Sequence, residues 1–373
     1  MEGKRTIEKI RLRNILSFGD KGEEIELLPL NVLIGQNASG KSNFIDIFRL
    51  LRSLPQYKGL TDFISKSGGI SEWIWKGDKI RELAEIGITL EVSKHFAKNI
   101  FYNISLMESN QRLAIPVEEI HKKVLKSKPT ENVLSTNRNG YLQESILSPL
   151  NSTKNEVKDY LIKSFLQIRI YDSFQAERSS EIRKSKTPDA PNDFLEENAS
   201  NLALVLNDLE HRGDTKDKIV SYLKKFNPRI KTYSIKISNG SVQLIIHEDE
   251  KQISAMRLSD GTLRYLCLLA ILCHPEPPPL ICIEEPEVGL HPDILPTIAE
   301  LLIDASQRTQ LIVTTHSDIL VSALSDVPEA VLVCEADEDG THFKRLDKEN
   351  LKEWLDEYEL GEVWLRGGIG GTR

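Results

Sequence analysis

The stretch Gly35-Gln36-Asn37-Ala38-Ser39-Gly40-Lys41-Ser42 decides the fold of this 373-residue chain. It matches the pattern G-x4-G-K-[ST] in full. The apolar run 30–34 precedes it and suits a strand buried on both faces. Apolar residues at helical spacing follow it, from Phe44 to Leu51. The order of strand, glycine-rich loop and helix predicts a phosphate-binding loop.

The chemistry of such a loop follows from its residue types. Glycines let the backbone wrap so that N–H groups face phosphate oxygens, and the helix N-terminus adds partial positive charge. We expect Lys41 to reach the β- and γ-phosphates and Ser42 to be a Mg²⁺ ligand. The predicted nucleotide-binding residues are Gly35, Gln36, Asn37, Ala38, Ser39, Gly40, Lys41, Ser42 and Asn43. ATP and Mg²⁺ are therefore the expected cofactors.

A second apolar strand, residues 280–283, leads into two adjacent carboxylates. This layout is typical of a Walker B element, in which one carboxylate holds hydrated Mg²⁺ and the next polarises the attacking water. We assign Glu284 to the metal and Glu285 to the water. The alternative is a solvated acidic turn at a strand end. It is less favoured because a full phosphate-binding loop lies upstream in the same chain.

Two further elements end or begin at polar residues. The apolar strand 311–314 is followed by His316, and ligands of parallel sheets bind beyond the carboxyl ends of strands. We expect His316 to sense the γ-phosphate, although a lone histidine is more often structural. Ser259, Asp260 and Gly261 precede an apolar helix, where Ser259 or Asp260 suits an N-cap. A free helix N-terminus can also bind phosphate.

These elements, in this order, resemble the ATP-binding cassette (ABC) ATPases of the SMC, RecF and OLD kind, with LSDGT at 258–262 in place of the LSGGQ signature. In that family the signature of one subunit contacts the γ-phosphate held by the other, which implies an in-trans role for Ser259, Asp260 and Gly261. The chain looks most like the OLD-like group of stand-alone ATPases. The resemblance covers ILSF (15–18), GQNASGKSN (35–43), LSDGTLRYL (258–266), EEPEVGLHP (284–292), TTHS (314–317) and the tail 360–371.

The sequence departs from the family pattern at three points. Glu284 stands where most cassette ATPases have aspartate, and Asp260 stands where they have glycine. The longer glutamate side chain can still ligate Mg²⁺. No glutamine could be assigned to the Q-loop, which leaves the coupling route open.

The resemblance implies an α/β fold: a P-loop NTPase of ABC-ATPase type, with a mixed or parallel central sheet, an antiparallel β subdomain and a mainly helical insert. We divide the chain into the N-terminal core (1–88), an insert (89–228), the C-terminal core (229–345) and a C-terminal helix and tail (346–373). Residues 110–156 are polar and contain three prolines, so we expect short helices on long loops there. Residues 165–171 are expected to form a strand.

Two family features are not expected. The insert is too short and too interrupted for the coiled-coil arm of SMC proteins. The part after the histidine strand is too short for the Toprim nuclease domain of OLD nucleases.

Composition limits the classes of partner. Lys and Arg number 48 and Asp and Glu 56, giving a net charge of −8, which argues against coating nucleic acid by bulk charge. The four cysteines lie singly in apolar runs, as buried reduced thiols do. No apolar run approaches the roughly 20 residues that a bilayer span needs, so we expect a soluble, cytoplasmic protein. The basic run 178–186 has three interpretations: a solvated face, a nucleic-acid contact, or an arginine near ATP.

Three functions are compatible with these residues. The leading hypothesis is a Mg²⁺-dependent ATPase that forms a head-to-tail homodimer or larger oligomer, closes on ATP and moves a partner through its insert. The resemblance implies DNA repair or defence against phages, with DNA or a separately encoded, nuclease-like effector as partner. The alternative is an ATP-gated scaffold for DNA or protein with little hydrolysis. A small-molecule kinase is a third hypothesis, but it leaves the signature and His316 unexplained.

Overall fold

The computed structural model describes residues 3–77, 83–91, 99–122, 131–172 and 174–371. Within these ranges the strands are β1 (Ile7–Arg13), β2 (Glu23–Glu26), β3 (Leu30–Ile34), β4 (Ala84–Leu90), β5 (Ile100–Ser109), β6 (Arg112–Lys122), β7 (Glu131–Leu142), β8 (Arg169–Tyr171), β9 (Ile230–Ser238), β10 (Ser241–Glu248), β11 (Lys251–Ser254), β12 (Leu280–Glu284), β13 (Gln310–Thr314), β14 (Val331–Asp337) and β15 (Gly340–Arg345). The α-helices are α1 (Lys41–Ser53), α2 (Gly59–Lys66), α3 (Glu156–Leu166), α4 (Leu202–Leu209), α5 (Thr215–Phe226), α6 (Asp260–Leu272), α7 (Leu295–Ser306), α8 (Asp318–Ser322), α9 (Lys352–Leu355) and α10 (Leu360–Leu365).

The central sheet has the strand order β15-β14-β3-β13-β12-β8. The five strands from β14 to β8 are parallel, and β15 is antiparallel at the edge. All residues of β3 and β13 are buried, as expected for strands covered on both faces. The phosphate-binding loop, the Glu284 carboxylate and His316 therefore lie at one edge of the sheet. The predicted mixed central sheet is confirmed.

The central sheet separates two hydrophobic cores. Successive residues of a strand point to opposite faces, so Val32 and Ile283 lie in one core, while Leu33 and Cys282 lie in the other. The helices α6 and α7 contribute to the first core. The second core contains α1 and the strands of the antiparallel sheet. Helix α1, which follows the phosphate-binding loop, therefore packs between the central sheet and the antiparallel sheet.

The antiparallel sheet has the order β2-β1-β4-β5-β6-β7, and a second, smaller one has the order β11-β10-β9. They confirm the expected antiparallel β subdomain, and β9 and β10 form a hairpin within it. The expectation of short helices over 110–156 is wrong, because β6 and β7 occupy much of that segment; residues 123–130 lie outside the described part. An antiparallel sheet can face water on one side, so its strands carry many polar residues. Pro116 fits because the β6–β7 register shifts around it.

The insert accordingly combines strands with helices, rather than being mainly helical over its whole length. The strand expected at 165–171 begins only at Arg169, since α3 continues to Leu166. Asn155 starts α3 by accepting hydrogen bonds from the N–H groups of Val157 and Lys158. The local cap and helix thus override the β propensity of the apolar residues.

One carboxyl group is buried inside the antiparallel sheet. Glu118 Oε1 accepts hydrogen bonds from Tyr102 Oη (2.6 Å) and Ser145 Oγ (2.5 Å), and Oε2 accepts one from the N–H of Ile146 (2.8 Å). These bonds join β6 to β5 and to the segment after β7. Burial raises the pKa of Glu118 to about 7, against the opposing effect of the hydrogen bonds.

The substitution Glu118→Gln removes this titration. Because the folded pKa of about 7 exceeds the ordinary 4.5, the folded chain binds more protons between those values, and the carboxyl group costs stability as pH rises through that window. We expect the variant to gain roughly 2 kcal/mol relative to wild type between pH 5 and pH 8. Urea unfolding at both pH values measures this. An equal stability difference at both would contradict it.

Candidate functional site

The two motif glycines of the phosphate-binding loop are required by both backbone and packing. Gly40 has φ 98° and ends the loop at the start of α1, and a Cβ there would lie 2.2 Å from Thr341 Oγ1. Gly35 has φ 147°, and a Cβ there would lie 2.2 Å from the carbonyl oxygen of Cys334. Side chains at these positions would be strained and would clash. The loop is therefore fitted against β14 and β15.

Lys41 is held inside the loop. Its ammonium donates to the carbonyl oxygens of Gly35 (2.8 Å) and Gln36 (2.7 Å), and burial lowers its pKa. Ser42 and Asn43 follow in the first turn of α1, where backbone N–H groups have no partner within the helix. Such N–H groups, beside an ammonium, form an anion-binding surface. The predicted residues thus form one continuous loop around a cation.

Two clefts border the loop. The larger, of about 820 Å³, lies between the loop, His316, Asp318 and the C-terminal residues 364–371. The smaller, of about 500 Å³, lies between the loop, residues 334–337 of β14 and His342 of β15. Ligand sites of small molecules are commonly of this size. A nucleotide on the loop therefore has space on both sides.

The Walker B carboxylate lies at the end of β12 and is ion-paired. Arg49 of α1 donates from Nη2 to Glu284 Oε1 (2.8 Å) and also contacts Asp46 and Asp172. Burial raises the pKa of Glu284, and the Arg49 guanidinium opposes this shift. Sequence analysis missed Arg49, whose only signal is its place two turns after Lys41 on the same helix.

The oxygen atoms at this edge suit Mg²⁺. Glu284 Oε2 accepts no hydrogen bond from the described residues, and the Ser42 side chain is exposed at the start of α1. Hydroxyl and carboxylate oxygens are ligands that Mg²⁺ prefers. The part of the chain that the structure describes contains no group of three or more His, Cys, Asp or Glu that could hold a metal ion. Ser42 and Glu284 would therefore share the ion with nucleotide phosphates and water.

Glu285 and His316 lie side by side. The distance from His316 Nε2 to Glu285 Oε1 is 3.7 Å, and both side chains are partly exposed. Glu285 adopts φ 46°, a left-handed conformation that is costly for a non-glycine residue. Its N–H donates to the carbonyl oxygen of Thr314 (3.0 Å), which fixes this turn against β13. The structure brings the two predicted catalytic residues together at the edge that carries the loop.

Glu287, which sequence analysis did not assign, joins the two turns. Its Oε1 accepts hydrogen bonds from Thr315 Oγ1 (2.7 Å) and from the N–H of His316 (2.8 Å). Its Oε2 is buried and has no hydrogen-bond partner among the described residues. The backbone of His316 is thus held by the segment that carries Glu285.

The predicted signature segment, residues 258–262, spans the start of α6. Ser259 is the N-cap of α6, and its Oγ accepts a hydrogen bond from the N–H of Thr262 (3.1 Å), which confirms the capping interpretation. Residues 259–261 do not line either cleft at the loop, within the described ranges. Ser259 and Asp260 are exposed to solvent. The start of α6 therefore presents exposed polar side chains that are not part of either cleft, within the described residues.

The basic run 178–186 is largely neutralised within the chain. Arg183 is buried and donates from Nη1 to the carbonyl oxygens of Ala255 (3.0 Å) and Leu258 (2.8 Å), and from Nη2 to Asp260 Oδ1 (2.5 Å). The lysines 184 and 186 pair with Glu181. Only the exposed part of the run matches the expected solvated face. Arg183 instead fixes the loop before the signature helix.

A second contact connects the signature helix to the segment after Glu285. Arg264 of α6 donates from Nη1 to the carbonyl oxygen of Val288 (3.0 Å). A Cβ at Gly261 would lie 3.1 Å from the carbonyl oxygen of Gly289, so the two backbones are close. The segment that follows Glu285 is therefore in direct contact with the start of α6.

Arg183→Lys is expected to destabilise the protein by at least about 2 kcal/mol, because a single ammonium cannot reach the separated acceptors that the two Nη atoms of the guanidinium bind, the carbonyl oxygens on one side and Asp260 on the other. Arg178→Lys is a matched control, since Arg178 is exposed in the same basic run. Chemical unfolding of both variants measures the effect. Equal stability of the two variants would contradict the role of Arg183.

All four cysteines are free and buried, as predicted. Among the described residues, no helix is long and apolar enough to cross a membrane.

Solved structures share this architecture at low sequence identity. An SMC head bound to the C-winged helix domain of ScpA has a TM-score of 0.59 at 14% identity, covering 92% of this chain and 99% of that one. The SMC head with an extended coiled coil from Pyrococcus furiosus, bound to the C-terminal domain of ScpA, gives 0.59 at 14%, covering 94% and 98%. The SMC head with a coiled coil and joint from Pyrococcus yayanosii gives 0.54 at 11%, covering 94% and 99%. These similarities show the fold.

A family model matches residues 30–322, from the strand before the loop to the helix after His316. Its description is "AAA domain, putative AbiEii toxin, Type IV TA system". The expected resemblance is confirmed for the fold, which SMC heads share, and the assignment to the OLD-like group stays a prediction. The chain belongs to this AAA-domain family, and its fold is similar to that of SMC heads.

Proposed function

We propose that the protein binds and hydrolyses ATP with Mg²⁺, and that it forms a homodimer around the nucleotide to gate a partner. One observation carries the proposal: Lys41, Glu284, Glu285 and His316 meet at one edge of the central sheet. Ligands bind at such an edge in open parallel sheets. The family match and the fold support the nucleotide as ligand.

Each residue has a role that its position supports. The first-turn N–H groups of α1 and the Lys41 ammonium bind phosphate oxygens, and the ammonium exchanges its carbonyl partners for them. Glu285 orients the attacking water and accepts its proton, and His316 contacts the terminal phosphate. Ser42 and Glu284 would hold the Mg²⁺, which would supply positive charge to offset that of the phosphates. Separate residues for phosphate binding, metal binding and water positioning are usual in enzymes of phosphoryl transfer.

The fold offers a position for the glutamine that sequence analysis could not assign. β8 is the parallel neighbour of β12, with Tyr171 opposite Ile283, so its end lies level with Glu284. Gln175 follows shortly afterwards and is exposed. We propose Gln175 as the Q-loop residue that responds to the metal and nucleotide. The chain continues from Gln175 to Arg183, which donates hydrogen bonds to carbonyl oxygens of the loop before the signature helix.

The homodimer proposal rests on the signature residues. Residues 259–261 line neither cleft at the loop, within the described residues, yet they present an exposed helix N-terminus that suits phosphate. The adjoining Met256 is 62% exposed, an apolar side chain available for burial. A second copy could supply both to the loop of the first. Head-to-tail pairing would complete two sites by symmetry.

A protein partner is favoured over nucleic acid. The basic run, for which a nucleic-acid contact was one of three interpretations, is largely paired within the chain. The family description names a toxin of a toxin–antitoxin system, and one related fold was solved with a winged-helix domain bound. We propose an effector encoded separately, in phage defence or DNA repair, as in the OLD-like group. The β-rich insert is the surface we assign to it.

One observation favours the scaffold alternative. The Walker B carboxylate already pairs with Arg49, so metal binding must compete with an ion pair at 2.8 Å. If that pair persisted with nucleotide bound, ATP would close the protein while hydrolysis stayed slow. The two functions differ in the effect of Glu285→Gln on partner release.

Lys41→Ala is expected to lower ATP turnover at least 100-fold, because the loop loses the cation that binds the terminal phosphates. Glu285→Gln should lower turnover to a similar extent while ATP binding is kept. Phosphate release and nucleotide binding, measured separately, distinguish these effects. Full turnover by the Lys41 variant would refute ATP hydrolysis at this loop. Unchanged turnover in the Glu285 variant would favour the scaffold alternative.

A mixing experiment tests the composite site. Lys41→Ala removes the ammonium of the phosphate-binding loop, and Ser259→Arg blocks the signature segment. Each protein alone should be inactive. Mixed in equal amounts they should regain about a quarter of wild-type turnover, because half of the dimers are mixed and each holds one intact site. Mixing Lys41→Ala with a Lys41→Ala, Ser259→Arg double variant is the control. Absence of recovery would show that the signature does not act in trans.

A further inference from the structure

The C-terminal segment, defined as residues 364–371, is built onto the phosphate-binding loop. Trp364 Nε1 donates to the carbonyl oxygen of Gly371 (3.3 Å), and the N–H of Gly371 donates to Glu335 Oε1 (2.9 Å). A Cβ at Gly371 would lie 3.3 Å from Gly35 Cα, the first glycine of the loop. Gly371 has φ 65°, which favours glycine. The C-terminal segment is therefore held in place against the loop.

This segment divides the space around the loop. Gly371 lines both clefts, whereas Trp364, Arg366 and Gly367 line only the larger one, which they share with His316. His316 follows β13, the strand that lies between β3 and the Walker B strand β12. The larger cleft therefore lies on the side of the loop toward which the terminal phosphate must point. The smaller cleft is left for the nucleoside.

Arg366 is the cation that the C-terminal segment brings to this cleft. It is the only lysine or arginine among the described residues that line the cleft. Its guanidinium lies 4.1 Å from the centre of the Tyr358 ring, and it forms no ion pair with a described carboxylate. Stacking orients a guanidinium while leaving its N–H edge free for an anion. An exposed guanidinium without an ion-pair partner among the described residues, beside a phosphate-binding loop, matches phosphate geometry.

We propose that Arg366 binds the γ-phosphate of the nucleotide held by the loop of its own chain, and that the C-terminal segment is part of the nucleotide site. The inference rests on the proposed function, since it needs a nucleotide on the loop. It adds a phosphate contact beyond Lys41 and the first turn of α1. ATP and ADP then differ in one more contact, which makes the C-terminal segment sensitive to which of them is bound.

The test compares two nucleotides by isothermal titration calorimetry with Mg²⁺: a non-hydrolysable ATP analogue and ADP. Arg366→Gln should weaken the analogue about 10-fold and leave ADP within about twofold. Arg366→Lys should fall between, since it keeps the charge and loses the planar fork. Arg169→Gln is the matched control: Arg169 also stacks on an aromatic ring, that of Phe194 at 5.7 Å, but starts β8 at the opposite edge of the sheet.

The outcomes separate the inference from the proposed function. Equal weakening of both nucleotides by Arg366→Gln, or no weakening of either, overturns the γ-phosphate contact. If Lys41→Ala binds the analogue as tightly as wild type, or wild type binds neither nucleotide, the proposed function fails instead and the inference falls with it. Unfolding midpoints of the Arg366 variants, compared with that of Arg169→Gln, show whether a loss of binding reflects a loss of folding.

Discussion

The parallel alignment of β14, β3, β13, β12 and β8 is the constraint on which the rest of the structure depends. Parallel strands end at a common edge, so the loop after β3 and the carboxylates after β12 meet although the chain between them is long. Arg49 and Glu284, 235 residues apart in sequence, form an ion pair as a result. Apolar residues on both faces of every parallel strand enforce this alignment by filling two cores. The parallel alignment of the central sheet is therefore what brings the residues of the candidate site together.

Contacts around the site connect it to distant surfaces. Glu287 ties the turn after β12 to the backbone of His316, and Arg264 ties the segment after Glu287 to the signature helix. Arg183 joins the chain that follows β8 to the loop before the same helix. Two series of contacts therefore connect the carboxyl ends of the central strands with residues 259–261. Such paired routes would let nucleotide binding in one chain alter the surface it offers to a second.

The sequence was sufficient to predict those features that depend only on residues close together in the chain. The loop, the Walker B strand and the N-cap at Ser259 are each encoded within about ten residues, and each has a backbone reason that a pattern can show. Arg49 and Arg183 were missed because their roles arise from partners far away in sequence. The segment 110–156 was mistaken for helices because a sheet with one wet face has polar strands, and Pro116 lies at a register shift.

The central claim is that one nucleotide is held by the loop of one chain and the signature of another. Its most direct test is the solution mass of the Glu285→Gln protein by light scattering, with and without Mg-ATP. One chain has a mass of 42.3 kDa. The account predicts a change from one chain without nucleotide to two chains with it. A mass of one chain in both conditions, with ATP demonstrably bound, would contradict it.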